Sequence, residues 1–245
     1  MLRGLKKHLQ GSSQWLVLIL ALNVVIVIAG VQGFSHGRLN NFHDQSIQLP
    51  IIYSYADSTL FSGDFLLDAR DTYVTLFYPV LGMISRAIPL EVLMAGLYIL
   101  SIISTITAVY AIGTTLFDRR EVGLIAAVMW MAYFPNPGGD FIHSPFVTHT
   151  TFSIAIELWA LVLFFRRRTN WAALLIGIAT NINAMTGVFV AVMCAFALLS
   201  NPRQWSLKLV RFPLLVMLGA LPILIWRFSL PLSETALEDF VDIIR

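Results

Sequence analysis

Residues 90–117 read LEVLMAGLYILSIISTITAVYAIGTTLF, and this run decides the fold class. Its one charged side chain is Glu91, directly after Pro89. Proline is tolerated where a helix begins, and an acid there suits the helix dipole. As a helix the run extends about 42 Å, more than the ~30 Å hydrocarbon core of a bilayer. A membrane-crossing helix over 90–117 is therefore expected.

The rest of the chain repeats that chemistry. Hydrophobic residues make up 58% of its 245 positions and charged ones 12%, with a mean hydropathy of +0.78. Soluble domains carry roughly 25% charged residues, so composition predicts an all-α, polytopic transmembrane bundle. The net charge of +2 is spread over short basic clusters between apolar blocks, which read as topology signals rather than a nucleic-acid surface. A lone cysteine, Cys194, excludes an internal disulfide and a Cys-based metal site.

Working back from Pro89, Thr72 to Ile88 is apolar but carries Arg86, which fits a helix on the membrane surface or packed against other spans. Ser35 to Asp71 is polar, with one proline and a Ser62-Gly63 break. Trp15 to Phe34 makes the first span, behind Arg3, Lys6 and Lys7. A cleaved signal peptide is the rival reading, but this apolar stretch exceeds the roughly 7–15 residues of a signal core, which favours an uncleaved anchor.

Forward from Phe117, Asp118-Arg119-Arg120-Glu121 is a charged turn, followed by an apolar block from Val122 to Phe134. Residues 135–140, Pro-Asn-Pro-Gly-Gly-Asp, form a loop, since Pro and Gly cannot continue a helix cheaply. Thr151 to Phe165 is the next span, ending in Arg166-Arg167-Arg168. Trp171 to Ser200 follows, then a span from Leu209 to Phe228 and an amphipathic tail. The expected organisation is one integral membrane domain over 1–245. It has a first span at 15–34, an outer loop with amphipathic or interfacial helices at 35–88, further spans within 89–228 and an outer amphipathic tail at 229–245.

Counting Lys and Arg orients it. Eleven of the 16 fall on one side, in the clusters at 3–7, 119–120, 166–168 and 203–211. The remaining five are Arg38, Arg70, Arg86, Arg227 and Arg245. The positive-inside rule puts the amino terminus in the cytoplasm and the 35–88 loop outside a plasma (inner) membrane. That parity requires Trp171 to Ser200 to enter and return, with arms of about 22 Å, short of the core. A short re-entrant hairpin with its tip at 181–187 is expected, and its bare backbone must line a protein or water cavity.

Chemistry-bearing residues concentrate in the outer loop. Asp64, Asp68 and Asp71 are spaced i, i+4, i+7, within an arc of about 60° on a helix. A divalent cation or a basic substrate would relieve their repulsion, and oxygen-only ligands suit Mg²⁺ or Mn²⁺ better than zinc. The alternative is a solvated helix face. Asp44 and Asp57 lie upstream, and Asp140, His143 and His149 form a second outer group able to hold a metal or pass a proton, or simply to be solvated. Glu157 sits within a span, where a carboxylate faces a cavity or a partner such as Asn181 or Asn183. Arg86 and Arg227 suit clamping of a lipid phosphate, or snorkelling to the interface. Together Arg86, Glu157, Asn181, Asn183 and Arg227 are the substrate-binding candidates. No nucleophile elbow, phosphate loop, dinucleotide fingerprint or His-Glu-x-x-His motif occurs.

The wording of the loop adds a resemblance. His43-Asp44-Gln45-x-x-Gln48-Leu49-Pro50 is followed by Tyr55-Ala56-Asp57-x-x-Leu60-Phe61-x-Gly63-Asp64-Phe65, then Tyr73-x-Thr75-x-Phe77-Tyr78. This run resembles a family of bacterial multi-span proteins that look like C-type glycosyltransferases. Pro137-Gly138-Gly139-Asp140 and Asn181-Ile182-Asn183-Ala184-x-x-Gly187 fall where that family has its outer loop and hairpin tip. The resemblance implies a cell-envelope enzyme using a polyprenyl-phosphate-linked sugar, with an outer-loop acid as base or metal ligand. It points to Asp57 and Asp64 as catalytic, with Asp68 and Asp71 behind them. The tip departs from the family pattern, having Asn183-Ala184 in place of a His-Pro pair, so no histidine role carries over. The family pattern is also longer, so the chain is expected to be its amino-terminal half. The reading from a different class is a non-catalytic, transporter-like or scaffold membrane protein.

Overall fold

The computed structural model describes residues 45–64, 67, 70–131, 148–200 and 207–230, together with helical positions 16, 19, 22–24 and 27. Among these residues all regular structure is helical. The helices are α1 (Gln45–Ala56), α2 (Phe77–Ser85), α3 (Leu90–Phe117), α4 (Arg120–Met131), α5 (His149–Phe165), α6 (Thr169–Thr180), α7 (Ala184–Leu199), α8 (Leu207–Gly219) and α9 (Leu221–Ser229). Most of the expected first span, the 135–140 loop and the 231–245 tail lie outside the described residues.

The decisive run forms a single 28-residue helix, starting after Pro89 and stopped by Asp118 in the left-handed region, φ 51°. It is the one helix among the described residues that is by itself long and apolar enough to cross a membrane. Around it the chain divides into two packed groups. Ile51, Ile52, Tyr78, Leu81, Met94 and Ile106 bury the first, joining α1 and α2 to α3. Ala160, Ala173, Ile176, Cys194, Leu198 and Phe212 bury the second, among α5, α6, α7 and α8. Helix α5 ties the two together by packing along α3, where Trp159 Nε1 donates to Ser104 Oγ at 3.1 Å.

The second group is close-packed because its facing residues are small. At the α6–α8 crossing a Cβ on Gly177 would fall onto Val216 O and Gly219 Cα, and one on Gly219 onto Leu174 O. Backbones that approach this closely gain dispersion contacts, which drive helix association where apolar surroundings give no hydrophobic incentive.

Residues 171–200 form two helices of 12 and 16 residues with a break at 181–183, where the hairpin tip was expected. Helix occurs within the 35–88 segment: α1 runs Gln45–Ala56 with Pro50 inside it and Gln48, Ile51, Ile52 and Ser54 buried. One expectation changes. The run Leu209 to Phe228 is not one straight span: Leu209–Gly219 and Leu221–Ser229 meet at a 57° bend. Pro222, near the start of α9, has no N–H to continue the α8 ladder.

Candidate functional site

The two ends of the bundle carry different chemistry. At one end Arg166 Nε donates to Thr115 Oγ1 at 3.3 Å, bringing the α5–α6 turn beside the end of α3. At the other end the hairpin tip gathers four elements around three residues.

Asn181 closes the bend between α8 and α9. Its Nδ2 donates to Gly219 O at 2.8 Å and its Oδ1 accepts from Ile223 N at 2.9 Å. In an uninterrupted helix Ile223 N would donate to Gly219 O. The Asn181 amide thus inserts into the opened ladder and supplies both missing partners. Nδ2 also contacts Gly177 O and Ile178 O at 3.0 and 3.1 Å, on its own helix. Asn183 caps α7, its Oδ1 accepting from Met185 N and Thr186 N, while Nδ2 donates to Thr150 Oγ1 at 2.9 Å at the start of α5. The segment ahead of α2 docks on the same tip. Leu76 N donates to Asn181 O at 2.7 Å, and Thr75 Oγ1 donates to Ile182 O at 2.5 Å. His149 opens α5 beside this segment, its Nδ1 lying 3.0 Å from Tyr78 Oη.

Glu157 lies one layer deeper, 4% exposed. Its Oε1 accepts from Ser153 Oγ and Thr186 Oγ1, each at 2.6 Å. Its partners are therefore two hydroxyls, one from its own helix and one from α7. Asn181 and Asn183 are engaged elsewhere. A buried carboxylate needs such donors, because leaving it unpaired would be far more costly than the bonds are worth.

A second polar centre lies at the carboxyl end of α1. A helix ends with unpaired carbonyls and a partial negative charge. Here Ser54 O accepts from Arg70 Nη1 at 3.4 Å, Tyr55 O from Arg86 Nη2 at 3.1 Å, and Ala56 O from Arg86 Nε at 3.1 Å. Arg70 also lies over the Tyr55 ring, 5.0 Å from its centroid. Asp57 follows directly and is exposed, with Oδ1 accepting from Thr59 N at 2.9 Å and Thr59 Oγ1 at 2.7 Å. Those two bonds, and to a smaller degree the charge of Arg86, hold the Asp57 carboxyl below its ordinary range. Asp57 Oδ2 has no partner among the described residues.

The remaining candidates separate from these two centres. Asp64 is exposed in the turn after Gly63, its N donating to Phe61 O at 3.1 Å. Asp68 and the Asp71 side chain lie outside the described residues, as do Asp44, Asp140 and His143. Among the described residues no three His, Cys, Asp or Glu side chains gather as metal ligands would. Arg227 stands in the last turn of α9, where a cation suits the helix dipole.

Sequence reasoning missed Arg70, Thr75, Ser153 and Thr186. Ser153 was within reach, since it precedes Glu157 by one helical turn. Thr186 and Thr75 act across elements, and nothing in local spacing marks them. No family model, curated protein or solved structure matches this chain.

Proposed function

We propose that the chain is a multi-pass membrane protein that transfers a sugar from a polyprenyl-phosphate donor to an acceptor hydroxyl at the outer face. The membrane part of this reading rests on α3 and on the surface of the helices. Met129, Phe189, Phe196, Leu207, Val210 and Phe228 are all strongly exposed, Phe228 at 85%. Apolar surface this widespread calls for lipid or protein cover.

One observation carries the catalytic part: Asp57, its carboxyl held below the ordinary range, keeps Oδ2 without a partner among the described residues and directly follows the α1 carbonyls that Arg86 binds. An acceptor hydroxyl oxygen would attack the sugar anomeric carbon as the bond to phosphate breaks, the phosphate leaving with the electron pair. The hydroxyl proton would pass to Asp57 Oδ2. A weakly basic carboxylate suffices because the proton becomes acidic only as the new bond forms. Arg86 keeps Nη1 uncommitted among the described residues and suits the departing phosphate. The Asp64–Asp68–Asp71 face, which would hold Mg²⁺ or Mn²⁺, extends beyond the described residues, so no step here runs through a metal.

The test is Asp57→Asn, with Asp64→Asn beside it, in cells whose surface glycans and polyprenyl-linked sugars are measured. Loss of the glycan with accumulation of the donor is expected for Asp57→Asn. Normal glycans with normally inserted protein in both variants would remove the enzyme reading. A transporter-like protein is the second reading, favoured by the buried Glu157–Ser153–Thr186 group beside a broken helix. It predicts that Glu157→Gln abolishes function in cells while Asp57→Asn does not.

A further inference from the structure

The end of the bundle opposite the hairpin tip carries a site that the transfer reading does not use. A cavity of about 650 Å³ opens between the α5–α6 turn and the start of α8, lined by Arg167, Arg168, Thr169, Asn170, Trp171 and Arg211, with Leu207 at its edge. The three arginines come from two separated stretches of sequence and are exposed, and their guanidinium groups have no hydrogen-bond or ion-pair partner among the described residues. Thr169, Asn170 and Trp171 open α6, and no side chain caps that helix. Its first amides, which have no partner within the helix, therefore add to the positive potential.

A second cavity of about 260 Å³ adjoins the first and shares Arg167 and Thr169 with it. Its other walls are apolar: Leu116, Phe164, Phe165, Ala197 and Leu198. A cationic chamber and an apolar cleft that share a wall at Arg167 and Thr169 suit the two parts of an amphiphile.

We propose that this paired cavity binds an anionic phospholipid. The phosphate headgroup sits among Arg167, Arg168 and Arg211, and the first part of an acyl chain lies in the cleft beside Phe164 and Leu198. Guanidinium groups match phosphate oxygens in bidentate fashion, which a zwitterionic headgroup answers less well because its own cation competes. Basic pockets between helices on the positively charged side of a membrane protein meet the leaflet where anionic lipids are drawn. A free phosphate would fill the charged chamber and leave the cleft unused. The proposal rests on the membrane reading but not on the transfer chemistry.

The experiment uses the full chain purified in zwitterionic detergent. It is titrated separately with dioleoylphosphatidylglycerol, dioleoylphosphatidylcholine and inorganic phosphate, with bound lipid counted by native mass spectrometry and the melting temperature followed. The wild type should bind phosphatidylglycerol about tenfold more tightly than phosphatidylcholine, and Arg168→Gln/Arg211→Gln should lose about tenfold for phosphatidylglycerol alone. Arg119→Gln/Arg120→Gln, at the neighbouring basic turn, should stay within about twofold of wild type. If the double variant fails to insert, the single exposed change Arg211→Gln carries the same reading with a smaller loss. Equal phosphatidylglycerol affinity in the pocket variant and the wild type overturns the proposal. So does stabilisation by inorganic phosphate as large as by the lipid, which would make this a site for the free anion.

Discussion

A single side chain, Asn181, carries the best-defined structural task in this protein. Its amide stands in for one peptide of a helix it does not belong to, pairing Gly219 O and Ile223 N. Asn181→Ala should leave both groups unpaired and lower stability by about 2–4 kcal/mol, read as a fall in melting temperature. Asn181→Asp keeps the acceptor and loses the donor, and should fall at least as far because it adds a charge. At Asp57 the sign of pH dependence follows from the lowered pKa. The carboxylate's contribution is complete above the ordinary aspartate range and is lost only as pH falls through the lower folded value. Thr59→Ala removes the hydroxyl bond to Oδ1 and leaves the backbone one, so the acid limb of transfer activity should move to higher pH. Asn181 and Asp57 were both legible as polar residues at a tip and in a loop. Their partners were not, because a sequence does not disclose which helix crosses which.

For whole elements, the reading was sound where one physical cause dominates. Helix α3 begins after Pro89 and ends at Phe117 as hydropathy alone predicts, and the hairpin in 171–200 follows from arms too short to cross. It left the bounds of α1 open, since Pro50 lies inside it and burial against α2 supplies what local propensity withholds. It did not foresee the α8–α9 bend, where Pro222 was visible but the amide that makes the break tolerable comes from another element. Glycine contacts sharpen this into a paired test. Gly177→Ala sets a methyl against the α8 backbone and should cost about 1–3 kcal/mol. Gly96→Ala on α3 meets open space and should stabilise by about 0.5–1 kcal/mol through helix propensity. Thermal melts of the two in the same detergent check both signs.

Across the whole molecule, the arginine-rich turns gather at one end, while the hairpin tip and residues 75–76 gather at the other. If these ends face opposite sides of a bilayer, an impermeant thiol reagent separates them. Cys194 is the sole cysteine and is buried, so Cys194→Ala gives a clean background. A cysteine at position 59 should react in intact cells, and one at position 170 only after permeabilisation. The reverse pattern would remove the outer-face assignment of Asp57. The charge asymmetry behind this prediction was legible in the sequence. The pairing of Arg211 with Arg167 and Arg168 around one cavity was not, because more than forty residues separate them in the chain.

The borrowed amide also has a consequence for biogenesis. Asn181 leaves the ribosome before Gly219 and Ile223, so the donor and acceptor are already in position when the last described helices are delivered. If α8 and α9 lie in a bilayer as proposed, a circular permutant that synthesises them ahead of α6 would expose their bare carbonyl and N–H to hydrocarbon, at several kcal/mol for each group. Such a permutant should stall at insertion and be degraded, even though its finished contacts would be the same.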